Sequence, residues 1–68
     1  MRKSKFKKLF ERYIEDGFEF IDIRLINGMV IGYDINKKSY ELLDKEIRIK
    51  DNTGQLCIEY ADIKRLEI

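Results

Sequence analysis

The chain has 68 residues, of which 40% are charged and 44% are hydrophobic, and its 14 Lys and Arg nearly balance 13 Asp and Glu. This length leaves room for one domain over residues 1–68 and excludes a two-domain enzyme or a long repeat array. With one cysteine and no histidine, a disulfide framework and a structural zinc site are also excluded, so self-association is the stabiliser we expect for so small a core.

The first segment has the pattern of an amphipathic helix with a basic exposed side. Its apolar side chains have the spacing of one helical stripe: Phe6, Leu9, Phe10, Tyr13 and Ile14. We expect a helix over residues 4–16, with Ser4 as its N-cap and Gly17 as the left-handed residue that ends it. Residues 1–12 carry six Lys and Arg against one Glu, whereas residues 13–68 carry eight against twelve acidic residues. Such a segment is typical both of phosphate binding and of a solvated helix face.

After Gly17 the pattern alternates with the period of β-strands. We expect a first strand over residues 18–26 and its antiparallel partner over residues 29–35. The intervening Asn27-Gly28 predicts a type I′ turn, in which both residues have positive φ. Gly32 predicts a bend or bulge in the second strand, where the sheet curls.

The rest of the chain predicts shorter strands. After a turn at residues 36–39, strands are expected at 40–43 and 46–50, with Asp44-Lys45 as a bulge inside one bent strand. Residues 51–54 predict a second hairpin turn, which leads into a strand over residues 56–60. Ala61-Asp62 must then turn the chain through a 3₁₀ turn into a last strand, 63–68. The predicted fold is mainly β, with one N-terminal helix capping a partly open barrel of about five strongly bent antiparallel strands.

Residues 23–28 (Ile-Arg-Leu-Ile-Asn-Gly), followed by Gly32-Tyr33-Asp34, resemble the first signature of Sm-like proteins, which include bacterial Hfq. In that family an apolar strand ending in Leu-x-Asn-Gly leads into a bent, glycine-containing strand and an Asp before the next turn. The resemblance implies a small Sm-like or SH3-like barrel. Two features depart from the family: the second strand is shorter, and Tyr60-Ala61-Asp62 stands near the point where Hfq carries a Lys-His pair that helps bind uridine-rich RNA.

Candidate RNA-binding residues cluster around the loop after the second strand. Binding of single-stranded RNA needs cationic groups and aromatic faces on which bases stack, and Lys37, Lys38, Tyr33 and Tyr40 lie near this loop. The family resemblance adds Asp34 and Asn36 as base contacts, and Lys5 and Lys8 extend the basic surface onto the helix. Core packing for the tyrosines and a solvated turn for the lysines remain the structural alternatives. We expect charge reversal at Lys37 and Lys38 to weaken RNA binding in a salt-dependent manner.

Catalysis is not expected from this set of side chains. Without histidine the usual general base is missing, and Cys57 has no group to activate it, so we interpret it as a small, half-buried strand residue. A calcium loop beginning at Asp51 fails because Leu56 stands where glycine is needed. We therefore expect a regulatory protein that is not an enzyme and that has no cofactor and no metal site.

A protein-interaction module is the alternative function. The last strand ends a small sheet with unpaired backbone groups, which favour edge pairing with a second copy, giving a homo-oligomer, or with another protein. The layout also resembles small Sm-like barrels that inhibit the Rho termination factor by covering an RNA site on that partner. A membrane partner is not expected. Phe6 and Phe10 should pack against the sheet, so they would not be available to lipid, and no apolar run is long enough to span a bilayer. We accordingly expect a cytoplasmic protein.

Overall fold

The computed structural model describes all 68 residues. Its elements are α1 (Lys3–Glu15), β1 (Phe20–Leu25), β2 (Val30–Asp34), β3 (Ser39–Leu42), β4 (Glu46–Asp51), β5 (Gly54–Glu59), a 3₁₀ turn (Tyr60–Asp62) and β6 (Ile63–Glu67). The strands form two three-stranded antiparallel sheets, with the orders β2-β1-β6 and β3-β4-β5. The mainly β class with one N-terminal helix is confirmed. The expected count of about five strands in one bent sheet is not confirmed, because the structure has six strands in two sheets, which do not form a closed barrel.

The sixth strand arises at Asp44-Lys45, where the chain reverses instead of bulging. β3 and β4 pair in antiparallel register from Ser39↔Lys50 to Leu42↔Ile47. The turn between them is held by Tyr60, whose hydroxyl donates to the carbonyl of Leu43 at 2.9 Å and whose backbone N–H donates to the carbonyl of Lys45 at 3.1 Å. The change of phase in the apolar pattern fits a bulge and a reversal equally well, so the sequence pattern did not distinguish them.

The helix begins earlier than expected and ends as expected. Arg2 is the N-cap and makes no side-chain capping bond, so the prediction of Ser4 as the cap is wrong. The amino nitrogen of Met1 instead donates to the carbonyls of the 3₁₀ turn and of Ile63, which fastens the start of the helix. At the other end Gly17 has φ +87°, and the N–H of Phe18 donates to the carbonyl of Tyr13 at 3.2 Å. This pattern is a Schellman motif.

The β1–β2 hairpin forms with a different turn from the expected one. Gly28 has φ +94°, but Asn27 does not have positive φ, so the type I′ prediction is wrong. A three-residue loop forms instead, and the side-chain oxygen of Asn27 accepts from the N–H of Met29 at 3.0 Å. The predicted bulge at Gly32 is also wrong, because β1 and β2 pair through it without a register shift. The one register shift lies between Arg24 and Leu25, where β1 pairs with β6.

The core lies between the two sheets and under the helix. It is one cluster of eleven buried hydrophobic side chains, drawn from both sheets, the 3₁₀ turn and α1. Phe6 and Phe10 are fully buried, with their ring centroids 5.1 Å apart, which confirms the prediction that the sheets claim them. Truncating either ring to alanine would cost about 3 to 5 kcal/mol. That cost equals the whole net stability expected of so small a core.

No helix has the length and apolar character that crossing a membrane requires.

Candidate nucleic-acid interface

The loop between β2 and β3, residues 35–38, is shaped by Asp34. One carboxylate oxygen of Asp34 accepts from the N–H of Asn36 at 3.0 Å, and its carbonyl accepts from the N–H groups of Lys37 and Lys38 at 3.2 and 3.0 Å. This is an Asx turn followed by two backbone bonds that the carbonyl of the same residue accepts. Asp34 and Asn36 are therefore turn-forming residues, and the two lysines project from a loop whose backbone is hydrogen-bonded throughout.

Tyr33 supports the same loop from the core. Its ring is 2% exposed, and its hydroxyl donates to the carbonyl of Lys38 at 2.8 Å. Burial raises the pKa of Tyr33 above its ordinary value, with smaller contributions from Tyr40 and Asp34. So buried a ring has no free face for a base, which corrects the expectation that Tyr33 is a stacking platform. Tyr33 instead fixes the position of Lys38.

Tyr40 is half-buried on β3 and packs edge-on against Phe10, with ring centroids 4.9 Å apart. Burial, and to a lesser degree the charge of Glu11, raises the pKa of Tyr40. The structural alternative noted for the tyrosines, core packing, thus describes both of them. A base that binds near this loop needs another surface to lie on.

The two loop lysines lie in a cleft opposite the β4–β5 hairpin. The cleft has a volume of about 370 Å³ and a lining without any hydrophobic residue: Asn36, Lys37, Lys38, Ser39, Lys50, Asp51 and Asn52. We call it the lysine cleft. The ammonium group of Lys38 also donates to the carbonyl of Gly32 at 3.3 Å. Lys50 was missed as a site residue, because only the pairing of β3 with β4 brings it beside Ser39.

The single acidic residue of the lysine cleft, Asp51, organises the opposite wall. Its Oδ1 atom accepts from the N–H and the hydroxyl of Thr53 at 2.9 and 2.7 Å and from the N–H of Gly54 at 3.0 Å. The bonds from Thr53 are the main reason that the pKa of Asp51 lies below its usual value, and Lys38 lowers it further. The cleft therefore carries three ammonium groups against one carboxylate, and that carboxylate is engaged in the hairpin turn.

The helix lysines do not line the lysine cleft. Lys5 and Lys8 are exposed, and the spacing of three and four residues places them on one side of α1 with Arg12. We call these three residues the helix stripe. The cleft at the start of α1 is lined by Lys3, Asp44, Lys45, Glu59, Tyr60 and Ala61, and it shares no residue with the lysine cleft. Of the predicted cationic residues, Lys37 and Lys38 line the lysine cleft and Lys5 and Lys8 do not.

Cys57 is exposed, so the expectation that it is half-buried is wrong. It lies on the face of β5 opposite to that of Ile58, and β5 is an edge strand of its sheet. No group of three or more Cys, Asp or Glu side chains is arranged to hold a metal ion.

Comparison with known proteins finds no family model, no curated protein and no solved structure that matches this chain. What the fold and the site define is a class: a small protein of two three-stranded sheets and one helix, with a lysine-lined cleft at one turn. The resemblance to Sm-like proteins rests on the sequence motif and stays a prediction.

Proposed function

We propose that the protein is a cytoplasmic, non-enzymatic, Sm-like regulatory module that binds single-stranded RNA by its phosphate backbone in the lysine cleft. The observation that carries the proposal is the convergence of Lys37, Lys38 and Lys50 in one cleft that is lined by polar and charged residues. Clustered ammonium groups bind phosphates with release of counterions, a gain that isolated surface lysines do not provide. The Sm-like motif of residues 23–28 supports the same function.

The cleft is suited to this role because both of its walls are fastened. Asp34 and the hydroxyl of Tyr33 hold the loop that carries Lys37 and Lys38. Asp51 holds the hairpin turn that follows Lys50. Lysine side chains on a fixed backbone lose less freedom when they bind phosphates than side chains on a mobile loop.

The test is fluorescence anisotropy with labelled uridine-rich and adenine-rich RNA octamers over a range of salt concentrations. For the double variant Lys37→Gln/Lys38→Gln we expect weaker binding and a slope of log K against log salt that is smaller by about 1.4, since each phosphate contact with a single strand contributes about 0.7. The matched control is Lys45→Gln/Lys64→Gln, which removes the same charge from exposed residues outside the cleft.

The control variant should keep a larger share of both affinity and salt slope. Equal losses in the two double variants would mean that RNA responds to net charge and not to the cleft. Absence of binding at low salt would contradict the proposal outright.

A protein partner is the second candidate function, and the β1–β2 hairpin favours it. Phe20, Ile26, Met29 and Val30 lie on or beside this hairpin and are 62%, 66%, 59% and 44% exposed. Exposed apolar side chains are common at protein interfaces, and β2 is an edge strand open to pairing with another chain or a second copy. If no RNA binding is seen, two measurements separate the remaining possibilities. Affinity capture of another protein that persists after ribonuclease treatment would indicate a protein partner, as for the Rho inhibitors. A mass in solution that is a multiple of the chain mass would indicate a homo-oligomer.

A further inference from the structure

A second cleft, with an apolar floor, adjoins the lysine cleft. It has a volume of about 290 Å³, and its three hydrophobic residues are Ile31, Ile49 and Leu56. Lys38 and Asp51 line this cleft as well as the lysine cleft. The two clefts are therefore neighbours that meet at the ammonium group of Lys38, which is held at the edge of β2 by its bond to the carbonyl of Gly32.

Leu56 is the most exposed part of this floor, because the two sheets do not close at this point. Leu56 lies opposite Ile49 in the β4–β5 register and is two residues from Ile58, so its side chain is on the core face of the sheet. Ile49 and Ile58 are both 4% exposed, but Leu56 is 46% exposed. Here the edge strands β2 and β5 belong to different sheets, and the cleft between Ile31 of β2 and Leu56 of β5 is open to solvent.

We propose that this apolar cleft takes one unstacked base of the RNA whose backbone lies in the lysine cleft, an inference that rests on the proposed function. A base is flat and largely apolar on its faces, and recognition of single-stranded RNA commonly places splayed bases beside a cationic backbone track. Since Tyr33 is buried and the ring of Tyr40 packs against Phe10, the aliphatic floor is the apolar surface next to the lysines.

The rim of the cleft provides the polar groups that the edge of a base needs. Gln55 is exposed there, and its side-chain amide has both a donor and an acceptor. The hydroxyl of Thr53 donates to Asp51, which leaves its oxygen free to accept a bond from a base. The charge of the neighbouring cleft favours a nucleotide over an uncharged or cationic ligand. The part of the ligand that extends from the apolar cleft past Lys38 lies beside an excess of ammonium groups, which attract phosphates.

The experiment compares two oligomers of equal length and charge, a labelled RNA octamer and its fully abasic counterpart. We expect the wild-type protein to bind the octamer about fivefold more tightly than the abasic strand, the effect of one base on a small apolar surface. Leu56→Ser should remove most of that difference while leaving the affinity and the salt slope of the abasic strand unchanged. The matched control is Val30→Ser, which changes an equally exposed strand residue outside both clefts.

A second variant, Leu56→Tyr, should increase the preference for the base-bearing octamer because an aromatic ring stacks on a base more strongly than leucine does. Circular dichroism and the thermal midpoint verify that each variant is folded. Equal affinity of the wild-type protein for the two strands, or equal effects of Leu56→Ser and Val30→Ser, would overturn the base site and leave backbone binding standing. Failure to bind either strand would overturn the proposed function and the base site together.

Discussion

The lysine cleft and the helix stripe are both basic, but they differ in how their charges are held. In the lysine cleft the side chains converge from two walls. The backbone of these walls is fixed by a bond that the hydroxyl of Tyr33 donates and by bonds that the carboxylates of Asp34 and Asp51 accept. In the helix stripe Lys5, Lys8 and Arg12 are exposed on one side of α1, and none of them lines the lysine cleft. Exposed charges of this kind are screened by salt and contribute little individually. On our proposal, a concave arrangement of a few lysines matters more for binding than the number of basic residues in one segment of the sequence.

Charge reversal in the lysine cleft is expected to have the largest effect. Lys37→Glu/Lys38→Glu replaces two of its three ammonium groups by carboxylates beside Asp51, so that a phosphate strand would meet net repulsion. We expect RNA affinity at low salt to fall by at least about thirtyfold. The loss of two attractive contacts reduces the affinity several-fold, and the gain of two repulsive contacts reduces it several-fold again. Anisotropy titration measures the loss, and an unchanged thermal midpoint confirms that the fold is intact.

Tyr33→Phe is expected to have an intermediate effect, because it removes no charge. It deletes the hydroxyl that donates to the carbonyl of Lys38, a bond whose net contribution is about 1 kcal/mol. We expect RNA affinity to fall about threefold, with the salt slope unchanged because the number of phosphate contacts is the same.

Tyr60→Phe is the matched control for that variant. Tyr60 is also a buried tyrosine, and its hydroxyl donates to the carbonyl of Leu43, in the turn at the other end of β3. Both variants should lose stability by a similar amount in a denaturant titration. An equal loss of RNA affinity in both would show that Tyr33 acts through global stability and not through the lysine loop.

Charge reversal on the helix stripe is expected to matter less. Lys5→Glu/Lys8→Glu changes the net charge as much as the reversal in the lysine cleft, yet we expect only about a twofold loss of RNA affinity at low salt, and none at moderate salt where these exposed charges are screened. If the helix variant lost as much as the cleft variant, the RNA would lie along α1 and our comparison would be wrong.

The sequence predicted most elements of the fold, and its failures have identifiable physical causes. The helix and the strands follow from the periodicity of the apolar residues, and Gly17 marks the end of the helix. The hairpins β1–β2 and β4–β5 and the 3₁₀ turn at residues 60–62 were also predicted. The reversal at Asp44-Lys45 was missed because it depends on a contact with Tyr60, which is distant in the sequence. Local patterns do not contain that contact.

The candidate site was predicted only in part, for a related reason. Lys37 and Lys38 were recognised because they stand together in a turn, but Lys50 and Leu56 reach the site only through strand pairing. The tyrosines beside the lysines suggested stacking, whereas Tyr33 is buried. Aromatic residues look the same in a sequence whether a neighbouring helix covers them or not, and here Phe10 of α1 covers both rings.

The smallest expected change is in stability, and it concerns Asp51, the acidic residue of the lysine cleft. The pKa of Asp51 is lowered from 3.8 by its bonds to Thr53, so the ionised side chain stabilises the fold above that pH, and the contribution is lost as the pH falls through the lower folded value. Asp51→Asn keeps the shape of the side chain and removes its charge. We expect the variant to be slightly less stable than the wild type at neutral pH and the difference to vanish in acid.

Thermal midpoints measured from neutral pH down to about pH 2 give that difference directly. Glu67, whose pKa is lowered to about 2 by hydrogen bonds from Arg24 and Arg65, loses its own contribution in the same acid range. It does so in both proteins, so it cancels in the comparison. Because Asp51→Asn also leaves the lysine cleft without its negative charge, RNA affinity at neutral pH should rise about twofold. A variant that was less stable and also bound RNA more weakly would show that the Asp51 turn positions the lysines and does not merely oppose their charge.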